Sequence, residues 1–267
     1  MTVMNNQYVF TSLTRISPLE GNHFEVEKLK KDQWQNGDYV VAEVISRRNA
    51  LKVELSNGRM AEAARGDLLV VALGTRYATL EATGSWQEVE KDGEMHLLTG
   101  AGLAGKATSR SFMLPPLIRI KYIGHIRVFG HKATMSNFYR NLEWKGFTMT
   151  VILLVGTSMS AGKTTAAKII IRELKKHDVT VVGSKLTGAG RYRDILSMRD
   201  SGADEIFDFV DVGMPSSVGE KSEYEAAAKN LLSMIDITKA DIAVVEIGAS
   251  PMEPYNGATA IELIKKS

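Results

Sequence analysis

"VILLVGTSMSAGKTTAAKIII" (151–171) places five apolar residues directly before a run of Gly, Thr, Ser and Ala, and an apolar-rich helical pattern follows Lys163, Thr164 and Thr165. A glycine-rich loop between a strand and a helix aims several backbone N–H groups inward. The helix N-terminus adds partial positive charge, so a polyphosphate fits there. The spacing G-x-x-x-x-G-K-[ST] is met at Gly162, Lys163 and Thr164, with Thr157 where the first Gly belongs and Gly156 one place earlier. The loop expected to cradle phosphates comprises Gly156, Thr157, Ser158, Met159, Ser160, Ala161 and Gly162, continuing into Lys163, Thr164 and Thr165. Lys163 is expected to reach the β and γ phosphates, and Thr164 to ligate Mg²⁺.

The residues after this loop read as strand, helix, strand. Ala166, Ile169, Ile170 and Leu174 are expected to share one helix face between the strand VILLV (151–155) and the strand VTVVGSK (179–185). A unit of this length implies a parallel sheet with a right-handed crossover. Ser222-x-x-Glu225 reads as a capping box opening a helix that runs through Met234, and DIAVVEIG (241–248) reads as a buried strand. At least three parallel strands are therefore expected.

The texture before residue 140 is different. Short apolar runs stand between Gly, Asp and Asn: YVFTSL (8–13), YVVAEVI (39–45), LKVELS (51–56), LLVVAL (68–73) and LIRIKYIGHIRV (117–128). They predict an antiparallel sheet or small barrel. Gly37-Asp38 and Gly66-Asp67 each precede such a run, an internal echo explained by two similar turns. The segment 133–149 reads as a linker. TGAGLAGKATS (99–109) contains G-x-G-x-x-G at Gly100, Gly102 and Gly105 and ends near Lys106, but Ala107 fills the Ser/Thr position and Pro115-Pro116 leaves little room for a helix. It reads as a structural turn, with a substrate or anion loop as the alternative.

Composition narrows the function classes. The 267 residues suffice for two domains, and the absence of Cys excludes disulfides, thiolate metal sites and a Cys nucleophile. A soluble, cytoplasmic protein is expected, since no apolar run approaches the ~18 residues of a membrane span. With 33 basic against 31 acidic residues there is no global reason to expect nucleic acid, and Arg47 with Arg48 reads as a solvated turn. The five His show no ligand spacing, so zinc is not expected.

Gly156-Thr157 through Gly162-Lys163-Thr164 resembles the G-T-x-x-x-x-G-K-T loop of dethiobiotin synthetase and its relatives, a branch of P-loop nucleotidases that includes ligases and amidases. VVGSKLTGAG (181–190) looks like that family's second strand, and VVEIGAS (244–250) like its acidic strand end. VEIGASPMEPYNG (245–257) is similar to the Val-Glu-Gly-Gln-Gly-Ser, His-Pro and Tyr-x-Gly elements of a poorly characterised family in the same group, some members of which are linked to N-acylation of D-amino acids. Ile247 and Ala249 depart from that motif. The resemblance covers about 151–264.

The resemblance implies a role for each matching residue. Lys163 would hold phosphates, Thr164 and Glu246 would hold Mg²⁺, and Asp208 or Asp211 would complete the metal site. Lys185 would neutralise charge on the substrate or the transferring phosphoryl group, which makes Lys163, Lys185 and Glu246 the catalytic set. Relatives continue with further strands and the segment that contacts the base; either this sequence is truncated at Ser267, or the N-terminal domain or a second subunit supplies that wall. The expected architecture is α/β: a β-rich, barrel-like N-terminal domain (1–132), the linker (133–149) and a P-loop nucleotide-binding domain (150–267). The expected function is a Mg²⁺- and ATP-dependent enzyme, with GTP as the other nucleotide, that activates a small carboxylate or similar acceptor. Rival expectations are a nucleotide-dependent switch and an N-acyltransferase that binds coenzyme A through the same loop. A homodimer or close domain packing is expected, because the last strand would otherwise leave an exposed edge.

Overall fold

The computed structural model describes residues 8–46, 51–158 and 161–265. Arg47, Arg48, Met159 and Ser160 lie outside the described residues. The chain is mixed α and β, with several sheets, one of them parallel. Among the described residues no helix is long and apolar enough to cross a membrane. The chain divides into two compact units, one running to Tyr139 and taking in Gly190–Tyr192, the other comprising Arg140–Ala189 and the residues from Arg193 onward.

The first unit is built from β1 (Tyr8–Phe10), β2 (Glu25–Glu27), β3 (Tyr39–Val44), β4 (Leu51–Glu54), β5 (Met60–Ala63), β6 (Leu68–Leu73), β7 (Thr75–Ala78), β8 (Ala82–Ser85), β9 (Glu94–Leu97), β10 (Leu103–Arg110), β11 (Arg119–Val128) and β12 (His131–Lys132). The main sheet runs β1-β6-β3-β11-β9-β10-β8-β7, and β6 also pairs with β10, so β6, β3, β11, β9 and β10 close a cycle. Alternate residues supply one core: Val40, Ala42 and Val44 of β3, Leu69, Val71 and Leu73 of β6, Met95 and Leu97 of β9, and Ile120 of β11. That spacing of two is the strand period. The Gly-Asp echo corresponds to two like turns, since Asp38 accepts from the Gln35 amide and Asp67 from the Ala64 amide, each at 2.7 Å. YVFTSL is a strand only to Phe10. Ser12–Thr14 turns into a 3-10 helix, where the Thr14 hydroxyl donates back to the Thr11 carbonyl. Gly102 closes the turn expected in TGAGLAGKATS, and a strand, β10, follows it.

The second unit contains β13 (Val151–Leu154), α1 (Lys163–Lys175), β14 (Val181–Thr187), α2 (Tyr192–Arg199), β15 (Glu205–Asp208), α3 (Lys221–Asp236), β16 (Ile242–Ile247) and α4 (Gly257–Lys265). Its four strands are parallel in the order β13-β16-β14-β15. Three corrections follow. The last strand, β16, is interior, so the sheet's edges are β13 and β15 and the edge argument for a dimer does not apply to it. The buried face of α1 is Lys163, Ala167 and Ile171, whereas Ile169 is 56% exposed, because at 3.6 residues per turn it lies about 160° round the helix from both Ala167 and Ile171. Ser222 does not cap α3: the helix starts at Lys221, which puts Ser222 inside the first turn, and Glu225 pairs with Lys229 one turn on.

The unit boundary at Tyr139 falls within the segment read as a linker. Met135–Asn137 is a 3-10 helix with Met135 fully buried. Beyond the boundary, the Leu142 amide donates to Asn230, and the Thr148 and Met149 amides donate to Asp236, so two polar residues of α3 hold the approach to β13.

Candidate functional site

The carboxyl ends of the four parallel strands align in register: Leu154 beside Glu246, Glu246 beside Lys185, Lys185 beside Asp208. Strands stand about 4.8 Å apart, so the row puts one cation between two carboxylates at the edge where ligands of open α/β sheets gather. Glu246, Lys185 and Asp208 are 3%, 7% and 1% exposed. Glu246 follows the buried apolar run Ala243–Val245, Lys185 follows the buried residues Val181–Ser184, and Asp208 follows the buried Ile206 and half-buried Phe207.

The loop between β13 and α1 supplies the second half. Gly162 is its last residue, with φ +81°, a left-handed conformation that glycine adopts without the Cβ penalty. It is the N-cap of α1 and, being glycine, offers the first-turn amides no side-chain acceptor of its own. Thr157, Ala161, Gly162 and Thr165 are exposed, while Gly156 and Ser158 are half-buried. Lys163 turns inward and is 5% exposed. Its Nζ donates to the Ser158 carbonyl at 2.6 Å, and among the described residues no carboxylate forms an ion pair with it. Burial holds its pKa below the ordinary lysine value; the nearby charge of Glu246 opposes this, and Lys185 adds to it. Thr164 donates its hydroxyl to Glu246 Oε2 at 2.8 Å.

Lys185 is the opposite case. Burial alone would lower its pKa, but Asp194, Glu246 and Asp208 outweigh that and hold it above the ordinary value. The Asp194 carboxylate, from the first turn of α2, is its direct ion-pair partner. Gly248, just after β16, leaves room for this lysine, since a Cβ there would stand 2.6 Å from Lys185 Cε and 2.1 Å from the Thr187 carbonyl oxygen. A register shift between Lys185 and Thr187 marks a bulge, and the buried Tyr224 hydroxyl satisfies the Leu186 carbonyl there. Ser217 ties the surrounding loops: its hydroxyl receives the Gly188 amide and donates to the Tyr255 carbonyl.

The site residues expected from sequence are thus partly gathered. Lys163, Thr164, Glu246 and Lys185 converge at one sheet edge. Asp208 caps the 3-10 helix Phe209–Val212 through the Val210 amide, and Asp211 accepts from the Asp208 amide, so Asp211 serves that turn. Asp208 stands two strands from Glu246 and acts on Lys185. Among the described residues no group of three or more His, Asp or Glu side chains could hold a metal ion by itself. Asp194 and Ser217 were not expected from sequence; neither lies in a motif, and each is brought in by a tertiary approach. No protein-family model matches the chain, and no curated protein matches it.

Proposed function

We infer that residues 150–267 form a P-loop nucleotide-binding domain of dethiobiotin-synthetase type, and that the protein uses ATP and Mg²⁺ to activate a small carboxylate or similar acceptor by phosphoryl transfer. The observation that carries this reading is the buried ammonium of Lys163, at the N-terminus of α1, without an ion-paired carboxylate among the described residues. A buried charge is costly until a counter-charge meets it, and a polyphosphate is the counter-charge that a helix N-terminus also favours. The cycle of five strands in the first unit likewise supports a small barrel there.

The residues present fit the nucleotide and its metal. Lys163 and the first-turn amides of α1 would hold the phosphates. Thr164 and Glu246 would hold Mg²⁺ directly or through water, a set that matches the ion's preference for one or two protein oxygens plus phosphate. Mg²⁺, when bound, neutralises charge on the phosphate oxygens. Lys185, kept charged by Asp194 and Glu246, orients an anionic acceptor and offsets charge that develops during transfer. Gly248 leaves room for the Lys185 side chain, and Ser217 ties the loops around it.

ATP turnover on the purified chain, with and without a panel of small carboxylates, tests the reading. Turnover that rises when one carboxylate is added supports it. Turnover that needs a macromolecule favours the switch, and binding of acyl-coenzyme A in place of ATP favours the acyltransferase.

A further inference from the structure

The first unit contains a cavity of about 370 Å³, outside the strand-end row described above. Its wall is apolar: Leu97, Leu98 and the run Leu114 to Ile118, which includes Pro115 and Pro116. Phe112 and Met113, which lead into that run, are 91% and 81% exposed, more apolar surface than a free loop ordinarily presents. Its polar lining is mostly cationic. Lys52, Arg76 and Arg191 face a single carboxylate, Glu81.

The three cations differ in what they already touch. Arg76 is buried; it donates to the Leu98 carbonyl at 2.8 Å and pairs with Glu81, while its Nε–H, also buried, has no acceptor among the described residues. Glu81 therefore meets its charge, and the Nε–H is the donor left over. Lys52 is exposed and Arg191 half-buried, and neither has an ion-pair partner among the described residues. Thr99 and Gly100, from the glycine-rich motif that forms no phosphate loop, complete the lining.

An apolar wall with two unpaired cations and a third at depth selects a ligand with one anionic end and an apolar body. We propose that this cavity binds an amphipathic medium-chain carboxylate, with Lys52 and Arg191 on the carboxylate and the chain against Leu97, Leu114 and Leu117. The site does not depend on the nucleotide reading.

Calorimetric titration of the full chain with octanoate, without nucleotide or Mg²⁺, tests it. The expected result is saturable binding of one octanoate, at least tenfold weaker binding of octanol, octylamine and butyrate, and at least a tenfold loss in the double variant Lys52→Glu, Arg191→Glu. If the double variant loses its thermal transition, Lys52→Glu alone, on an exposed side chain, is expected to weaken octanoate at least threefold. Absence of saturable octanoate binding overturns the proposal. So does equal binding of octanol, or binding unchanged in the charge-reversed chain. Because nucleotide is absent, none of these outcomes bears on ATP use.

Discussion

The Thr164 hydroxyl donates to Glu246 Oε2 at 2.8 Å, joining the first turn of α1 to the carboxyl end of β16. A hydroxyl and a carboxylate so placed can both turn toward one Mg²⁺ with little loss, because they exchange a hydrogen bond for a metal contact. Glu246→Gln keeps an acceptor for Thr164 and removes the charge. Nucleotide affinity measured with and without Mg²⁺ is expected to differ by tenfold or more in the wild type and by less than threefold in Glu246→Gln.

Lys185 is held by carboxylates on both sides of its strand, so its removal has two effects. Lys185→Ala removes the cation that faces Glu246, Asp208 and Asp194, and a loss of about 3 kcal/mol in stability is expected from breaking a buried pair. Turnover, assayed well below the lowered melting temperature, is expected to fall by ~100-fold, the scale of one lost preorganised contact, with nucleotide affinity within a few-fold of wild type. Normal turnover in Lys185→Ala contradicts the crevice assignment. The sign for pH follows from the raised pKa: the stability that Lys185 contributes is fully present below the ordinary lysine pKa and is lost as pH rises through its higher folded value.

Lys163 has the reverse sign. Its folded pKa lies below the ordinary lysine value, so its charged form burdens the fold at neutral pH and that burden lifts as pH rises through the folded pKa. Bound phosphate restores the preference for the charged form. Nucleotide binding on the alkaline side, approaching the usual lysine pKa, is therefore expected to take up a proton. Binding heats compared in buffers of different ionisation enthalpy read this directly, and Lys163→Met is expected to abolish the buffer dependence.

Much of this arrangement was legible in the sequence, and the exceptions share a cause. LLVVAL, entered by Gly66-Asp67, and VILLV, followed by the glycine-rich loop, carry their own boundaries, so β6 and β13 were readable. Lys163, Thr164, Lys185 and Glu246 were singled out through the family resemblance, and their positions were legible because each lies at or near the end of such a bounded element. β15 was not expected: EIFD is four residues long and lies among acidic residues that suggest a loop, yet pairing with β14 makes it a strand. Asp194 carries no local signal either, since its role depends on α2 bringing it to Lys185. Ser222 and Glu225 fit a capping box by spacing alone, and the choice of Lys221 as the first helical residue removed that use.

The central claim is that the loop ending in Gly162, Lys163 and Thr164 binds a nucleotide's phosphates. Calorimetric titration of the full chain with Mg²⁺ and ATP, and in parallel with Mg²⁺ and GTP, measures it most directly. The account predicts saturable binding of one nucleotide and a loss of at least 100-fold in affinity in Lys163→Ala, because the buried phosphates lose their charge-assisted partner. Equal affinity in wild type and Lys163→Ala, or no binding of either nucleotide to the wild type, contradicts it.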